Sequence, residues 1–166
     1  PGFSLTHKTL WALNVLSELG LRYDSTIFPS SRSHGGYPGG TPFPHRIPTA
    51  AGRDFWEFPI STVNVLGMRV CLFGGGYMRL CPWRLIRSGV KQINSAGHPV
   101  VIYLHGRELD PCHPRLPMPW KRRFMSYVGL AGTERKLRRL LDTFAFAPIR
   151  DVLGPTGGRA VAEETT

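Results

Sequence analysis

The sequence predicts a mixed α/β fold in one domain, and three patterns lead to that prediction. Several segments carry apolar residues at the spacing of amphipathic helices. Short apolar runs bounded by glycine or proline lie between them, and the clearest of these runs covers residues 99–105. At 166 residues the chain is long enough for one core, and no apolar run reaches the roughly 18 residues that a membrane span needs. Helices that alternate with strands are typical of α/β proteins.

Three segments are predicted to be helices. Residues 4–20 form the first, with Ser4 or Thr6 as its cap and a glycine at its end. The second covers residues 82–97, because proline suits a first helical position, and the third covers residues 133–144. Each is expected to bury one face. The apolar positions are Leu10, Trp11, Leu13, Val15, Leu16 and Leu19, then Trp83, Ile86, Val90 and Ile93, then Leu137, Leu140, Leu141 and Phe144.

The strand-like runs between these helices are short. They cover residues 21–29, 55–58, 60–65, 70–73, 99–105 and 149–153. The run 99–105 is apolar on both faces, as the interior strands of parallel sheets are. Residues 30–52 hold five glycines and four prolines and predict a long irregular loop, while residues 110–120 predict a rigid, proline-rich loop.

The net charge of +10 favours an anionic partner. Four basic residues share the third predicted helix, namely Arg135, Lys136, Arg138 and Arg139. Charges on a helix usually form a solvated face, and that interpretation is preferred to an anion-binding surface. No nucleic-acid-binding motif accompanies these charges, so a nucleic-acid partner is not expected.

Two short motifs allow both a functional and a simpler interpretation. The glycines at 74–76 precede a helix, but they lack the lysine of a phosphate loop and the spacing of a dinucleotide fingerprint, which favours a structural turn. Asp110, Cys112 and His113 could in principle bind zinc. Their crowding between prolines makes that interpretation the weaker one, and the three cysteines, which form no close pair, are expected to be reduced thiols.

His105 is the strongest candidate for a catalytic residue. It ends the apolar run 99–105, and α/β folds bind ligands at the carboxyl ends of their strands. A histidine can donate or accept a proton near neutral pH, although a hydrogen-bonded structural role is nearly as common at such a position. Arg107, Glu108 and Asp110 follow closely and could orient the imidazole.

Seven short segments occur in an order that matches one known family. They are PGFS, YDSTIFP, FPHRI, WEFP, GGGYMRL, IYLHGRELDP and RDVL. On these motifs the chain resembles the C-terminal part of a polysaccharide deacetylase of the NodB-homology type, found beside bacterial exopolysaccharide loci of the PEP-CTERM/exosortase kind. The match covers residues 1–153, and the polar tail 154–166 is expected to be disordered.

The resemblance implies a metal-dependent hydrolase that removes acetyl groups from N-acetylated sugars of a bacterial exopolysaccharide, on a distorted (β/α) barrel. The family uses a divalent metal, zinc by preference, and an early aspartate pair and two histidines supply its general base and its metal site. No segment of this sequence matches those motifs, so we expect the N-terminal half of the domain to be missing and the chain to be inactive alone. The start at Pro1 favours a truncated sequence, and no signal-peptide pattern opens it.

The resemblance also assigns individual residues. His105 matches the histidine that protonates the leaving amine, and Asp24 matches a motif that lines the sugar groove. Pro1 and Gly2 match the end of the motif whose arginine, expected immediately upstream, orients the catalytic aspartate. Leu104 and Tyr103 would line the substrate site, with Tyr103 at a position that is often leucine in the family. For Asp24 a plain turn cap is the alternative role, and Trp56 and Phe58 suit a core better than a sugar platform.

A second hypothesis belongs to a different functional class. The chain could be a non-catalytic basic module that binds an anionic glycan or nucleic acid through its last helix. An upstream sequence with an aspartate pair and two spaced histidines would favour the enzyme.

Overall fold

Short helices and strands alternate along the chain in a computed structural model, which describes residues 5–30, 36–50, 52–65 and 67–153. Pro1, Gly2 and the predicted tail 154–166 lie outside these ranges. The strands are β1 (Tyr23–Asp24), β2 (His45–Ile47), β3 (Phe55–Glu57), β4 (Val63–Val65) and β5 (Met68–Val70). The helices are α1 (Trp11–Glu18), α2 (Gly75–Leu80), α3 (Trp83–Ser95), α4 (Trp120–Tyr127), α5 (Thr133–Thr143) and α6 (Ile149–Leu153), with single 3-10 turns at Gly106–Glu108 and Leu130–Gly132.

Three strands form a small mixed sheet in the order β1-β3-β2. β1 runs parallel to β3, with Asp24 opposite Glu57, and β2 runs antiparallel to β3. The prediction of one irregular loop over residues 30–52 is therefore wrong for β2. Prolines at 44 and 48 flank β2 and keep it short, which explains why its sequence lacks a strand pattern.

The segment that ends in His105 is extended but is not a regular strand, contrary to the prediction. It makes one parallel bridge, between Tyr103 and Gly74, and the Tyr103 N–H donates to the Phe73 carbonyl at 2.9 Å. On its other side the Ser61 side chain accepts the Val101 N–H at 2.8 Å. The Ser61 N–H also donates to the Val101 carbonyl at 3.3 Å, but this local pair of bonds does not continue as a backbone ladder, so the expected interior strand does not form.

The largest core lies between α3, the β4–β5 hairpin and this extended segment. The predicted face of α3 is confirmed, since Ile86, Val90 and Ile93 are buried. Val100, Ile102 and Leu104 pack against the same cluster from the extended segment. This packing fixes the position of the segment whose end carries His105.

Further predicted elements differ from the structure. Residues 149–153 form helix α6 instead of a strand, because Pro148 begins a helical turn and the Asp151 N–H donates to its carbonyl. Helix α1 buries Leu13, but Trp11 and Leu19 are exposed. Residues 11, 15 and 19 are spaced four apart and lie along the exposed side of α1. The buried face of α1 is therefore narrower than the sequence predicts.

Gly129 lies where helix α4 turns back towards α5. Its φ is +72°, and a Cβ atom there would lie 2.8 Å from the carbonyl oxygen of Arg79. We expect Gly129→Ala to destabilise the protein by about 1–3 kcal/mol, because both the left-handed backbone and the contact with another backbone oppose a side chain. Chemical denaturation measures this loss. Gly132→Ala is the matched control, since a Cβ atom at Gly132 would meet nothing within 4 Å; equal losses in the two variants would contradict the explanation.

Candidate active site

A cleft of about 470 Å³ opens beside His105. The extended segment, the start of α2 and helix α4 form its walls. Its lining residues are Ile60, Cys71, Gly74, Gly75, Gly76, Tyr77, Arg79, Leu80, Tyr103, His105, Arg107, Glu108, Phe124, Met125 and Val128. Apolar and aromatic walls around a few polar groups are typical of ligand sites.

The imidazole of His105 is held by Tyr103. The Tyr103 hydroxyl lies 2.9 Å from Nε2 of His105, and the two rings meet edge to face. Which of the two atoms donates depends on the tautomer of the histidine. The sequence predicts that polar residues after His105 orient the imidazole, and this prediction is wrong for Glu108 and Asp110. The Glu108 carboxylate accepts the backbone N–H of His105 at 3.0 Å, and the Asp110 carboxylate accepts the backbone N–H of Cys112.

A buried ion pair supports this wall of the cleft. Arg79 Nε lies 3.5 Å from Glu108 Oε1, and the exposed fractions of the two side chains are 4% and 2%. The Arg79 guanidinium also donates to the carbonyls of Ser126 at 2.6 Å and Met125 at 2.7 Å. Burial lowers the pKa of Arg79, and the Glu108 carboxylate acts against that change. The pair therefore joins α2, the end of α4 and the backbone of His105.

The glycines at 74–76 allow the chain to pass close to this ion pair. Gly75 has a φ of +50°, and a Cβ atom there would lie 3.7 Å from Glu108 Oε1. Gly74 lies opposite Tyr103 in a parallel bridge whose hydrogen bonds are made by Phe73 and Gly75, and Gly75 and Gly76 begin α2. The three glycines thus allow close packing between the extended segment and α2, which agrees with the structural role that the sequence favours. They lead directly into a helix instead of forming a separate turn.

The comparison with family models finds one match. The family described as Domain of unknown function (DUF3473) matches residues 25–154, which include every residue of the cleft. The chain belongs to this family. No curated protein and no solved structure matches the chain.

Two other predicted site residues, Leu104 and Asp24, lie away from the cleft lining. Leu104 packs against the main core, and Asp24 lies in β1, where its carboxylate accepts the Thr26 hydroxyl. Trp56 and Phe58 are buried with Leu153, which confirms their assignment to a core. Of the residues assigned by resemblance, His105 and Tyr103 alone among those described line the cleft.

Asp110, Cys112 and His113 form a local turn in the DUF3473 domain. The Cys112 N–H donates to the Asp110 carboxylate, and His113 Nδ1 lies 2.6 Å from the Asp110 carbonyl oxygen. Within the described ranges no group of three or more His, Cys, Asp or Glu side chains could hold a metal ion. No helix in those ranges has the length and apolarity to cross a membrane.

The basic residues of α5 are largely engaged inside the domain. Lys136 Nζ donates to the carbonyls of Met78, Arg79 and Cys81 at 2.6–3.0 Å, which caps the end of α2. Arg138 pairs with Glu134, and the Arg139 guanidinium lies 5.7 Å from the centre of the Trp83 ring. The prediction of a solvated face is therefore wrong for Lys136, whereas Arg135, Arg138 and Arg139 are exposed.

Glu57 is a carboxyl group that lies opposite Asp24 in the sheet, and the sequence does not single it out. Glu57 is fully buried in β3, and its Oε1 accepts the Ile27 N–H at 2.9 Å. Its Oε2 has no hydrogen-bond partner among the described residues. Burial, and then the negative charge of Asp24, raise the pKa of Glu57 to about 8. An isolated Glu in a strand pattern carries no signal of this coupling, which depends on the parallel register of β1 and β3.

We expect Glu57 to make the protein less stable as the pH rises. Its folded pKa of about 8 exceeds the ordinary 4.5, so its stabilising contribution is complete below pH 4.5 and is lost as the pH rises through 8. Each pKa unit corresponds to about 1.4 kcal/mol, which makes the loss several kcal/mol. Urea denaturation between pH 4.5 and 9 should show a fall that Glu57→Gln removes and Asp24→Asn reduces. The same fall in wild type and Glu57→Gln would assign it to another group.

Proposed function

We propose that this chain is the C-terminal part of a metal-dependent polysaccharide deacetylase of the NodB-homology type, with His105 as the general acid. The observation that carries the proposal is the position of His105, whose imidazole lies in a cleft large enough for a sugar. Exposed faces of Tyr77 and Phe124 border the same cleft and suit stacking against a sugar ring.

The proposed chemistry is hydrolysis of an N-acetyl group. Water adds its oxygen to the acetyl carbonyl carbon as one of its protons passes to a base, and the C–N bond then breaks. The products are a free amine and acetic acid, which ionises to acetate and a proton. The nitrogen is a poor leaving group as an anion, so the His105 imidazolium transfers a proton to it as the bond breaks. His105 is then neutral and regains its proton from solvent.

The metal is part of the proposal because of the resemblance alone, and the described residues do not form a site for a metal ion. They contain no cluster of potential ligands, so no step in this chain is assigned to a metal. In the proposal its ligands, an aspartate and two histidines, come from the missing N-terminal half of the domain. Zinc, the preferred metal, would activate the water there.

The proposed scaffold is the C-terminal part of a distorted (β/α) barrel. Two parallel pairings support it, β1 with β3 and Gly74 with Tyr103, because barrels of this kind are built from parallel neighbours. A barrel also brings the ends of successive strands together, which would place the missing metal ligands near His105.

Tyr103 distinguishes this cleft from the family pattern. A leucine at this position would offer only a methyl surface, whereas the Tyr103 hydroxyl contacts Nε2 of His105. We assign Tyr103 as a positioning residue that holds the imidazole towards the cleft. The acetyl-methyl pocket would then be formed by other apolar lining residues, such as Leu80 and Val128.

The test uses the full-length natural protein with and without added Zn²⁺. Acetate release from N-acetylchitohexaose should require both the metal and the segment upstream of Pro1. Activity is read as acetate by a coupled enzyme assay and as free amine by mass spectrometry. No acetate release from this or from other N-acetylated oligosaccharides, with a correctly folded and metal-loaded protein, would contradict the proposal.

A further inference from the structure

We propose that the cleft beside His105 takes an acidic sugar chain, with Arg107 binding a carboxylate of the sugar next to the reacting residue. This inference rests on the proposed function and names its substrate class as N-acetylated polysaccharides that contain uronic acids. The carboxylate is placed at the mouth of the cleft, where Arg107 is exposed.

The first support is the charge balance of the cleft. Two guanidinium groups line it, from Arg79 and Arg107, against the single carboxylate of Glu108. Both oxygens of Glu108 are already engaged, Oε1 with Arg79 and Oε2 with the His105 N–H. The described residues provide Arg107 with no ion pair, so its charge is available to a ligand.

The second support is the closeness of the two cationic groups. Burial is the main cause of the lowered pKa of Arg79, and the charge of Arg107 lowers that pKa further, so the two guanidinium groups repel each other. An anion bound to Arg107 would relieve this repulsion. A carboxylate matches the fork of a guanidinium with two parallel hydrogen bonds, which a neutral hydroxyl does not.

The third support is the surface around the cleft mouth. Lys121, Arg122 and Arg123 are exposed on α4, whose Phe124 and Met125 line the cleft. Such a basic border attracts a polyanion and guides it to the site. Three of the four basic residues of α5, by contrast, have partners inside the domain: Lys136 contacts carbonyls, Arg138 contacts Glu134 and Arg139 lies over an aromatic ring.

The test compares two oligosaccharides of equal length on the full-length protein by isothermal titration calorimetry. Hyaluronan hexasaccharide carries carboxylates beside N-acetyl groups, whereas N-acetylchitohexaose is neutral. We expect hyaluronan to bind at least about tenfold more tightly at low salt, because a hydrogen bond to a charged group is stronger than one between neutral groups. Arg107→Gln should remove that preference, so that the two oligosaccharides bind with similar affinity.

Two controls separate a carboxylate site from general attraction to the basic protein. Arg87→Gln removes an exposed charge from α3, outside the cleft lining, and should keep the preference. Hexaglutamate, an acidic chain without sugar rings, should not compete with hyaluronan. Equal affinity for the two oligosaccharides, no binding of either, an unchanged preference in Arg107→Gln, its loss in Arg87→Gln, or full competition by hexaglutamate would each overturn the inference.

The outcomes also separate this inference from the proposed function. Acetate release from N-acetylchitohexaose without any preference for hyaluronan would keep the deacetylase and overturn the acidic substrate. Arg107-dependent binding of hyaluronan without acetate release from any N-acetylated sugar would keep the acidic ligand and overturn the deacetylase.

Discussion

His105→Ala in the full-length protein is expected to slow acetate release from an N-acetylated oligosaccharide by about 10² to 10⁴. The expected loss follows from the leaving group, because an amine nitrogen that receives no proton must depart as an anion. His105 is half-buried and supports the fold mainly through its backbone N–H, which alanine retains. The variant should therefore keep its unfolding midpoint while the rate falls.

Two further variants serve as controls: one changes another histidine, and the other changes the residue that contacts the His105 ring. His7→Ala removes an exposed histidine that stacks on Tyr37, outside the cleft lining, and should keep full activity. Tyr103→Phe removes the hydroxyl that holds Nε2 and should change the pH dependence of the rate more than the affinity for the sugar. Near-normal acetate release by His105→Ala would exclude the general-acid role.

The candidate site could be predicted from the sequence only as far as local patterns reach. His105 ends an apolar run, and that run ends at a cleft. The position of His105 beside a cleft can therefore be predicted from its own segment alone. Tyr103 stands two positions before it and was included by resemblance. The partnership of Arg79 with Glu108 could not be predicted, because it joins two segments through the packing of α2 and carries no motif.

The fold shows the same division between local and long-range information. Helix α3 was predicted accurately because proline starts it and its apolar face recurs at helical spacing. The extended segment before His105 has the composition of a strand, but its pairings are isolated: one bridge to Gly74 and one pair of hydrogen bonds with Ser61. Helix α4 was missed because it buries no residue and so carries little pattern.

Glu108→Ala is expected to have the largest effect on stability of any change in the cleft. It would leave the Arg79 guanidinium buried without its carboxylate, and breaking a buried ion pair costs about 3–5 kcal/mol. The same change removes the acceptor of the His105 N–H. Chemical denaturation should therefore show a large loss of unfolding free energy, and acetate release should fall even at temperatures where the variant remains folded.

Glu134→Ala is the matched control, because its ion pair with Arg138 is exposed and should contribute less than about 1 kcal/mol. The double variant Arg79→Met, Glu108→Leu removes both buried charges together. It should be more stable than Glu108→Ala alone, since no uncompensated charge remains, although the carbonyls of Ser126 and Met125 lose their donor. Equal losses in Glu108→Ala and Glu134→Ala would mean that burial does not determine the strength of the Arg79–Glu108 pair. A double variant less stable than Glu108→Ala would instead assign the main stabilising role to the hydrogen bonds that Arg79 donates to α4.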